Sequence, residues 1–423
     1  MKVLILSHNC FSNQNNMGKT FLSLFSSFNC DELCQLYISS EVPNNDICAN
    51  YYRISDIDVY KSYFGKKEYG GPISYNLNVN NDQNINQKKF GKKNQFKIIL
   101  RDKMWNFSHW FSDDLKNWLI SQKITHIFVA PGENKFFYDL SGKIISFLRV
   151  PVILYVCDDF YFSFQKKIGI KRLYYRGLRK KIRKLVSLSS LIVTICGSLT
   201  TKYESEFGGN YITIMTGYDY YKNKKVKRLT KKNDIVLSYF GNLGLGRFEN
   251  IYNIGLVIDK INHDKNYNLT LNVYSNLYDE KLKSKLKSIS CVNYYDFVYG
   301  KYYDKAKNDS DILIHTESFE IENFFRVKYS ISTKIPECLL SNKVLFAFGP
   351  AGIASIDYLL ENNCACVCVS FSKLYDDLLN LIQKKDFAAI IKVQNDIGKK
   401  NHISINNSKR LHEEISKIDG DKS

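Results

Sequence analysis

Proline is scarce in this sequence, and long apolar segments are missing. Only 6 of the 423 residues are proline. No stretch approaches the roughly 18 uninterrupted apolar residues that predict a transmembrane helix. The N-terminal run MKVLILSHNC is too short for a signal peptide or a membrane span. We therefore expect a cytoplasmic protein, or one that attaches to a membrane only at its surface.

The 11 cysteines show no regular spacing. An odd and scattered set indicates free thiols in a reducing compartment rather than a disulfide framework. Cys364, Cys366 and Cys368 would share one face of a strand, whereas a metal site needs ligands at turn spacing. The Asp-x-Asp pairs do not follow strands convincingly, so we predict no obligatory metal ion.

Acidic residues are outnumbered by basic ones. Lys and Arg total 60 against 42 Asp and Glu, which gives a formal net charge of +18. This excess points to an anionic partner, which is nucleic acid, an acidic membrane surface or a phosphorylated substrate. The composition, 44% apolar and 24% charged, is that of a folded globular protein, and the length suits two or three domains.

Apolar runs typical of buried strands alternate with helical patterns along almost the whole chain. Continuous apolar strands separated by helices indicate parallel sheets that are covered on both faces. The pattern occurs in two series, which predicts an α/β protein with two doubly wound, Rossmann-like domains. The predicted strands are residues 3–7, 32–38, 125–130, 152–157, 191–196 and 212–215 in the first series, and 235–240, 268–274, 311–315, 344–348 and 364–369 in the second.

A basic and polar segment separates the two series. Residues 220–233, YYKNKKVKRLTKKN, have no apolar period, and we interpret them as a linker. The first domain would comprise residues 1–219, with an irregular Asn- and Lys-rich surface loop at 61–93. The second domain would comprise residues 234–395, followed by a helical tail at 396–423.

Polar residues follow strands of the first domain, where parallel sheets place their binding and catalytic groups. His8 ends the first strand and is a candidate catalytic residue. Gly18 opens the next helix, where it would face a phosphate or substrate, or simply cap the loop; a P-loop is disfavoured because Asn13 replaces a required glycine. Asp158 and Asp159 follow a later strand, and an Asp there would act as a catalytic base or cap a helix.

The second domain opens with a glycine-rich turn. Gly241, Gly244 and Gly246 follow a predicted strand, and Arg247 stands at the start of the next helix. Glycines allow close backbone approach and the arginine supplies charge, so this turn predicts a second anion site.

The same glycine spacing also fits a dinucleotide-binding loop. Tyr303 and Lys307 have the spacing of a dehydrogenase catalytic pair, although such pairs arise by chance in a chain with 30 tyrosines and many lysines. An oxidoreductase is therefore an alternative.

A cation and a carboxylate are predicted near the start of a later helix. Ser332 and Thr333 are good N-caps, which would place Lys334 and Glu337 one turn apart on the same face. This set suits a nucleotide sugar, with the lysine at the diphosphate and the glutamate at the ribose hydroxyls. A pair on the helix surface is the plainer alternative.

The run KIPECLLSNKVL, followed by FGP, resembles the donor-site segment of GT-B glycosyltransferases. It is most similar to the family 4-type enzymes of bacterial capsule and lipopolysaccharide assembly, which carry Lys-x-x-Glu-Tyr-Leu before a small residue, Gly and Pro-Val. The segments MTGYD and FGNLG match the family's turn before the linker and its glycine loop. The resemblance spans most of the chain and is specific in the last third.

This resemblance implies two Rossmann-like domains facing across a cleft, with a nucleotide-sugar co-substrate and no other cofactor. It implies that Glu337 holds the ribose and Lys334 the phosphates. Arg247, beside Gly241, would bind the diphosphate, and Gly18 would lie at the reaction centre.

The sequence departs from the family at two points. Tyr329 stands where the first of two paired glutamates is usual, and the lysine that usually follows the arginine is missing. Arg326 or Lys328 would compensate for the lysine. Glu317 or Glu320 would take over the sugar contact. The donor sugar and the stereochemical course therefore stay open.

Residues 166–184, KKIGIKRLYYRGLRKKIRK, hold ten cations and no acid. Apolar residues recur at helical spacing from Ile170 onward, which predicts a helix whose apolar stripe packs on the core and whose cations face an anionic membrane. A solvated basic face and a nucleic-acid groove are the alternatives, and no recognised nucleic-acid-binding module accompanies the charge. The cations assigned to the membrane are Lys171, Arg172, Arg176, Arg179, Lys180 and Arg183.

Together these patterns predict a glycosyltransferase of the hexosyltransferase type, cytoplasmic and peripheral at the inner face of a bacterial membrane. It would transfer a sugar from a nucleotide-sugar donor, bound mainly by the second domain, to a lipid-linked glycan acceptor in surface polysaccharide biosynthesis. The resemblance suggests that residues 396–423 return to the first domain. The alternatives are an NAD(P)-dependent oxidoreductase or epimerase of sugar nucleotides, and a non-enzymatic basic protein that binds membranes or nucleic acid.

Overall fold

The chain divides into two compact units in the computed structural model, which describes residues 1–13, 15–64, 70–76, 95–163, 169–219, 234–384 and 387–418. The N-terminal unit comprises Met1–Gly217 with Ser404–Ser423, and the C-terminal unit comprises Tyr218–Ile403. The boundary predicted from the sequence is residue 219. The predicted linker, 220–233, lies outside the described residues.

The N-terminal unit is built on an eight-stranded sheet in the order β4-β3-β2-β1-β5-β6-β7-β8. All neighbours are parallel except β3 and β4. The strands are β1 (Val3–Ser7), β2 (Leu33–Tyr37), β3 (Asn50–Arg53), β4 (Gly71–Ile73), β5 (His126–Ala130), β6 (Val152–Val156), β7 (Leu191–Thr194) and β8 (Tyr211–Thr213). Its helices are α1 (Asn16–Leu24), α2 (Asp56–Ser62), α3 (Gln95–Phe107), α4 (Asp113–Ser121), α5 (Lys135–Leu148), α6 (Gly169–Ser187) and α7 (Gly197–Phe207).

The C-terminal unit is built on a six-stranded, fully parallel sheet in the order β11-β10-β9-β12-β13-β14. Its strands are β9 (Asp234–Phe240), β10 (Asn268–Tyr274), β11 (Val292–Tyr295), β12 (Ile312–Thr316), β13 (Val344–Phe348) and β14 (Cys366–Cys368). Its helices are α8 (Arg247–Lys265), α9 (Glu280–Lys287), α10 (Gly300–Asp309), α11 (Ile321–Val327), α12 (Ile335–Leu339), α13 (Ala354–Glu361), α14 (Leu374–Gln383) and α15 (Phe387–Asn401).

The two sheets share one construction principle. Counted within the C-terminal unit, its strands follow the 3-2-1-4-5-6 order of a Rossmann fold, and the direction of winding reverses between β9 and β12. In the N-terminal unit the reversal lies between β1 and β5. Ligands of such sheets bind outside the carboxyl ends of the strands at the reversal, so the topology itself marks one candidate position in each unit.

The last helix, α16 (Ser404–Ser416), belongs to the N-terminal unit and packs on α1. The hydroxyl of Ser408 accepts a hydrogen bond from the backbone amide of Ser27 at 2.9 Å. Leu411 and Ile415 are fully buried. The tail predicted as residues 396–423 is thus divided, since α15 extends to Asn401 in the C-terminal unit before the chain crosses to α16.

The prediction of two Rossmann-like, parallel-sheet domains is confirmed. Three strands were not predicted, namely β3 and the two edge strands β4 and β11. The irregular loop at 61–93 was wrong in part, because residues 61 and 62 end α2 and Gly71–Ile73 form β4. Pro72 hides that strand in the sequence, since proline is tolerated in a sheet only at an edge. Residues 65–69 and 77–93 of the predicted loop lie outside the described residues.

Candidate functional site

The carboxyl ends of β9 and β12 bring four ionisable side chains together at the reversal of the C-terminal sheet. We call Arg247, His315, Glu317 and Lys334 the switch-point cluster. Three of its members come from strand ends and the glycine-rich turn, where the chain has to leave the sheet. Lys334 comes from the segment just before α12.

Arg247 is the first residue of α8 and is fixed against the end of β12. Its Nη2 lies 2.9 Å from Oε2 of Glu317, and its Nε donates to the carbonyl of Thr316 at 3.2 Å. Asn250, one turn later, donates to the Thr316 hydroxyl and to the Glu317 carbonyl, both at 2.7 Å. Burial raises the pKa of the Glu317 carboxyl even though Arg247 opposes this shift. The glutamate predicted as a sugar contact is therefore engaged by the arginine.

Lys334 reaches back to the opposite strand of the reversal. Its Nζ donates to the carbonyl of Phe240 and lies 5.4 Å from the centre of the Tyr239 ring. The side chain passes directly over Gly241, where a Cβ would overlap Nζ, so a larger residue at this position would displace the lysine. Loss of surrounding water and the nearby Arg247 lower the pKa of Lys334 to about 8.

His315 completes the cluster as a neutral group. Its Nε2 lies 3.4 Å from Oε1 of Glu317. Burial, with the charges of Arg247 and Lys334, lowers the pKa of His315 to about 3. With two cations and one carboxylate, the cluster presents net positive charge around the backbone of Gly241, which is an arrangement suited to an anion.

Glu337 points to a different set of partners. Its Oε2 accepts a hydrogen bond from the hydroxyl of Tyr303 at 2.9 Å, and its Oε1 accepts one from Nζ of Lys307. The hydroxyl of Tyr218 lies 3.5 Å from the same Oε1. Lys334 and Glu337 thus make separate contacts, which disfavours the plainer alternative of a pair on the helix surface.

The contacts of Glu337 also bear on Tyr303 and Lys307, which have the spacing of a dehydrogenase catalytic pair. Burial and the Glu337 carboxylate raise the pKa of Tyr303 far above its usual value. Both members of the predicted catalytic pair are bound to Glu337, and this contact disfavours the oxidoreductase alternative.

The helix expected at Ser332 or Thr333 begins later. Lys334 occupies the N-cap position, and α12 runs only from Ile335 to Leu339. The hydroxyl of Ser332 accepts from the amide of Lys334 at 3.4 Å, whereas Thr333 is exposed. The start was predicted too early because both residues resemble N-caps, but the chain stays non-helical until Pro336 supplies its preset backbone angle near the first turn.

Arg326 and Lys328, predicted as compensating cations, lie at the end of α11. Arg326 is exposed. Lys328 lies over the ring of Tyr329, with Nζ 5.4 Å from its centre. Their role in donor binding stays a prediction.

The reversal of the N-terminal sheet carries His8. The ring of His8 follows β1 and stacks on Phe137 with centroids 4.7 Å apart, and a Cβ at Gly132 would lie 3.2 Å from it. Gly18 donates its amide to Oδ1 of Asn15 at 2.7 Å, so this amide serves the N-cap of α1. The structure thus favours the loop-cap alternative for Gly18.

Asp159 is also a capping residue. Its carboxylate accepts hydrogen bonds from the backbone amides of Tyr161, Phe162 and Ser163 at 2.8–2.9 Å, and from the Ser163 hydroxyl at 2.7 Å. Asp158, in contrast, is exposed. Of the two candidate bases, Asp158 is the one with a side chain accessible to an acceptor.

Helix α6 carries the predicted basic surface, although residues 164–168 before it lie outside the described residues. Ile170 and Leu173 are 68% and 69% exposed, so the apolar stripe does not pack on the core from Ile170 onward. Its packing begins at Tyr174, whose hydroxyl accepts from the amide of Lys135 at 3.3 Å. Arg183 forms an ion pair with Glu206 at 2.7 Å, and Arg179 is half-buried. Of the six cations assigned to the membrane, five are exposed, namely Lys171, Arg172, Arg176, Lys180 and Arg183.

Sequence patterns missed four members of these sites. Asn250 and His315 carry no motif, and Tyr303 and Lys307 were considered only for a dehydrogenase. The i, i+4 spacing of Tyr303 and Lys307 on α10 did indicate that the two share a helix face, but not that this face meets Glu337.

The part of the chain that the structure describes contains no group of three or more His, Cys, Asp or Glu placed to hold a metal ion. None of its described helices combines the length and apolar character needed to span a bilayer.

Comparison with known proteins gives a fold but no sequence family. No protein-family model and no curated protein matches the sequence. Similar solved structures include an α,α-trehalose-phosphate synthase from Burkholderia xenovorans (TM-score 0.61, 9% identity, 98% of this chain and 100% of that one). Anabaena HepE in complex with UDP and glucose is similarly related (TM-score 0.61, 13% identity, 99% and 100%). The structure of WaaG, a glycosyltransferase involved in lipopolysaccharide biosynthesis, is also similar (TM-score 0.58, 10% identity, 98% of this chain and 100% of that one). Both units therefore match the Rossmann-like domains of GT-B glycosyltransferase structures.

Proposed function

We propose that this protein is a glycosyltransferase of the hexosyltransferase type, which transfers a sugar from a nucleotide-sugar donor to a glycan acceptor. The observation that carries the proposal is the cluster of two cations at the reversal of the C-terminal sheet, where Lys334 lies against the backbone at Gly241 and Arg247 is close enough to lower the pKa of Lys334. The shared fold with enzymes such as HepE, which was solved with UDP and glucose, supports the same conclusion.

The chemistry of sugar transfer explains why two cations would be needed there. When the bond between the sugar and the diphosphate breaks, negative charge accumulates on the leaving diphosphate. A guanidinium and an ammonium fixed in advance stabilise that charge without having to reorganise. Arg247 is held by Thr316 and Glu317, and Lys334 by Phe240, so both are positioned before a ligand arrives. We retain the proposal that no metal ion and no further cofactor is required.

The N-terminal unit would bind the acceptor. His8 lies at the reversal of its sheet, and Asp158 is exposed beyond the end of β6, so either could accept the proton of an acceptor hydroxyl. We propose that the acceptor is a lipid-linked glycan of bacterial surface polysaccharide assembly. The similarity to WaaG and the family 4-like donor segment support this assignment.

We further propose that the protein works at the inner face of the cytoplasmic membrane. The supporting observation is the first turns of α6, where exposed Ile170 and Leu173 alternate with Lys171, Arg172 and Arg176. Apolar side chains beside cations are the composition that binds an anionic lipid surface. A nucleic-acid partner is not part of the proposal.

The test is calorimetric binding and thermal stabilisation with UDP, GDP, ADP and their glucose derivatives, alongside NAD, NADP and a single-stranded oligonucleotide. We expect one nucleoside diphosphate series to stabilise the protein. Lys334→Met should weaken that binding at least tenfold, whereas Lys281→Met, an exposed lysine on α9, should leave it unchanged. Stabilisation by NAD or NADP alone would support the oxidoreductase, and binding of the oligonucleotide alone would support a non-enzymatic basic protein.

A further inference from the structure

Both oxygens of the Glu337 carboxylate are held by one helix, α10. Tyr303 and Lys307 stand one turn apart on that helix, so their side chains project from the same face. The Tyr303 hydroxyl donates to Oε2 at 2.9 Å, and Nζ of Lys307 donates to Oε1. Nζ also lies 5.0 Å from the centre of the Tyr303 ring, so the three groups form one contact network.

The network is largely removed from water. The side chain of Lys307 is 3% exposed and that of Glu337 is 18% exposed. Burial by itself would lower the pKa of Lys307, but the contacts with the Glu337 carboxylate and the Tyr218 hydroxyl together raise it above its usual value. The lysine therefore stays charged across the physiological pH range.

Tyr303 also links the two halves of the candidate donor site. Its ring packs against Phe240 with centroids 5.0 Å apart in an edge-on arrangement. Phe240 is the residue whose carbonyl accepts Lys334. A single tyrosine thus contacts the carboxylate predicted to hold the ribose and the strand end that holds the predicted phosphate cation.

The remaining capacity of the carboxylate matches a vicinal diol. Each carboxylate oxygen has two acceptor positions, and the α10 contacts occupy one strong position on each. On Oε1 the Tyr218 hydroxyl, 3.5 Å away, makes a second and longer contact, so a ligand can use the second position of Oε2 and compete for the weakly engaged one of Oε1. The two neighbouring hydroxyls of a ribose would donate to these positions.

We propose that Tyr303 and Lys307 are positioning residues of the donor site, which fix Glu337 so that it recognises the ribose hydroxyls of the nucleotide. The inference rests on the proposed function, and it adds two residues outside the family-like donor segment. Neither residue touches the reacting atoms in this proposal. Both act through the orientation and charge of Glu337.

The experiment measures discrimination between ribose and deoxyribose. Dissociation constants for UDP, GDP and ADP, each paired with its 2′-deoxy form, would be measured by calorimetry for the wild-type protein, Tyr303→Phe and Lys307→Met. We expect the wild type to prefer the ribose form of its nucleotide by tenfold or more. Tyr303→Phe should reduce that preference several-fold, and Lys307→Met should abolish it.

The ratio of the two affinities separates positioning from general damage. If the two residues were only structural, their substitution would weaken the binding of the ribose and deoxyribose nucleotides equally. The ratio of the two dissociation constants would then stay unchanged, and this result would overturn the inference. Tyr303→Phe removes one oxygen and keeps the ring against Phe240, so it tests the inference even if Lys307→Met does not fold. Tyr302→Phe and Lys305→Met, exposed neighbours on α10, are the matched controls and should retain the wild-type ratio.

The outcomes also distinguish the two proposals. A wild-type protein that binds none of the nucleotides contradicts the proposed function. A wild-type protein that binds a nucleotide but does not distinguish ribose from deoxyribose contradicts this inference alone.

Discussion

Arg247 and Glu317 form an ion pair across the reversal of the C-terminal sheet, with 2.9 Å between Nη2 and Oε2. The arginine begins α8, directly after the glycine-rich turn, and the glutamate directly follows β12. Their side chains are 21% and 4% exposed, so the pair lies mostly out of water. This contact places the arginine and at the same time neutralises part of its charge, which makes Lys334 the less compensated cation of the cluster.

Replacing Glu317 with glutamine should destabilise the C-terminal unit and strengthen diphosphate binding. The substitution keeps the shape but leaves Arg247 without its counter-charge, which we expect to cost about 2–3 kcal/mol, somewhat below the range for fully buried pairs. A bound diphosphate would replace the lost charge, so the dissociation constant for UDP should fall about fivefold. Urea unfolding and calorimetry measure the two effects.

The same variant tests the earlier idea that Glu317 contacts the sugar. In that case UDP-glucose would lose affinity relative to UDP, contrary to our expectation that both gain equally. Glu280→Gln is the matched control, because Glu280 is exposed and pairs with Lys283 at 2.8 Å. Its removal should change the free energy of unfolding by less than about 0.5 kcal/mol.

Nucleotide binding should weaken as the pH rises through the pKa of Lys334. This pKa is about 8 in the folded protein, below the ordinary lysine value, because of desolvation and Arg247. A diphosphate favours the charged form and so raises this pKa on binding. Between pH 7 and pH 9 the charged fraction of the free lysine falls about tenfold, and affinity should fall by a similar factor. The terminal phosphate, with a second pKa of about 6, is already ionised throughout this range.

Calorimetry in buffers of different ionisation enthalpy gives a direct check of this linkage. Binding at pH 8 should take up a fraction of a proton, and Lys334→Met should remove both the uptake and the pH dependence. An unchanged affinity between pH 7 and pH 9 in the wild type would show that Lys334 does not contact the phosphates.

The sheets were predictable where burial alone determines the structure. β1, VLILS, is buried at all five positions, and a continuous apolar run is the pattern of a strand covered on both faces. β4 was missed because its three residues, GPI, become a strand only by pairing antiparallel with β3. Edge strands of this kind depend on a tertiary partner that no local pattern reveals.

The sequence predicted which residues form the candidate site better than it predicted which of them contact each other. Arg247 and Lys334 follow from glycine-rich and helix-start patterns, and both lie in the switch-point cluster. The partners of Glu337 did not follow, because Lys307 lies thirty positions earlier and meets it only in the folded unit. A sugar contact by Glu317 or Glu320 stays a prediction, and the pairing of Glu317 with Arg247 was not predicted.

Asp159→Asn should lower stability without acting on the chemistry. The two carboxylate oxygens of Asp159 now accept hydrogen bonds from three backbone amides and one hydroxyl. An asparagine has only one acceptor oxygen, so some of these donors would lose their acceptor. We expect a loss of about 2 kcal/mol and a thermal midpoint lower by about 4–8 °C. Asp158→Asn, at an exposed position, should leave the midpoint unchanged. If the transfer rate falls a hundredfold in Asp158→Asn but not in Asp159→Asn, Asp158 is the catalytic base. If the rate falls a hundredfold in Asp159→Asn while that variant keeps full stability, the capping role of Asp159 is contradicted.

Removing three cations from α6 should release the protein from anionic vesicles. Lys171, Arg172 and Arg176 are exposed beside Ile170 and Leu173, and each cation near an anionic surface contributes about 1 kcal/mol. The triple substitution to glutamine should therefore weaken binding to vesicles containing about 30% phosphatidylglycerol by roughly a hundredfold.

The matched control replaces Lys281, Lys287 and Lys305, three exposed lysines of the C-terminal unit, and carries the same change in net charge. If both triple variants lost binding equally, net charge would account for the attraction, and α6 would have no special role. Leu173→Ser separates the apolar contribution, since its loss should weaken binding even at high salt, where the attraction between charges is screened.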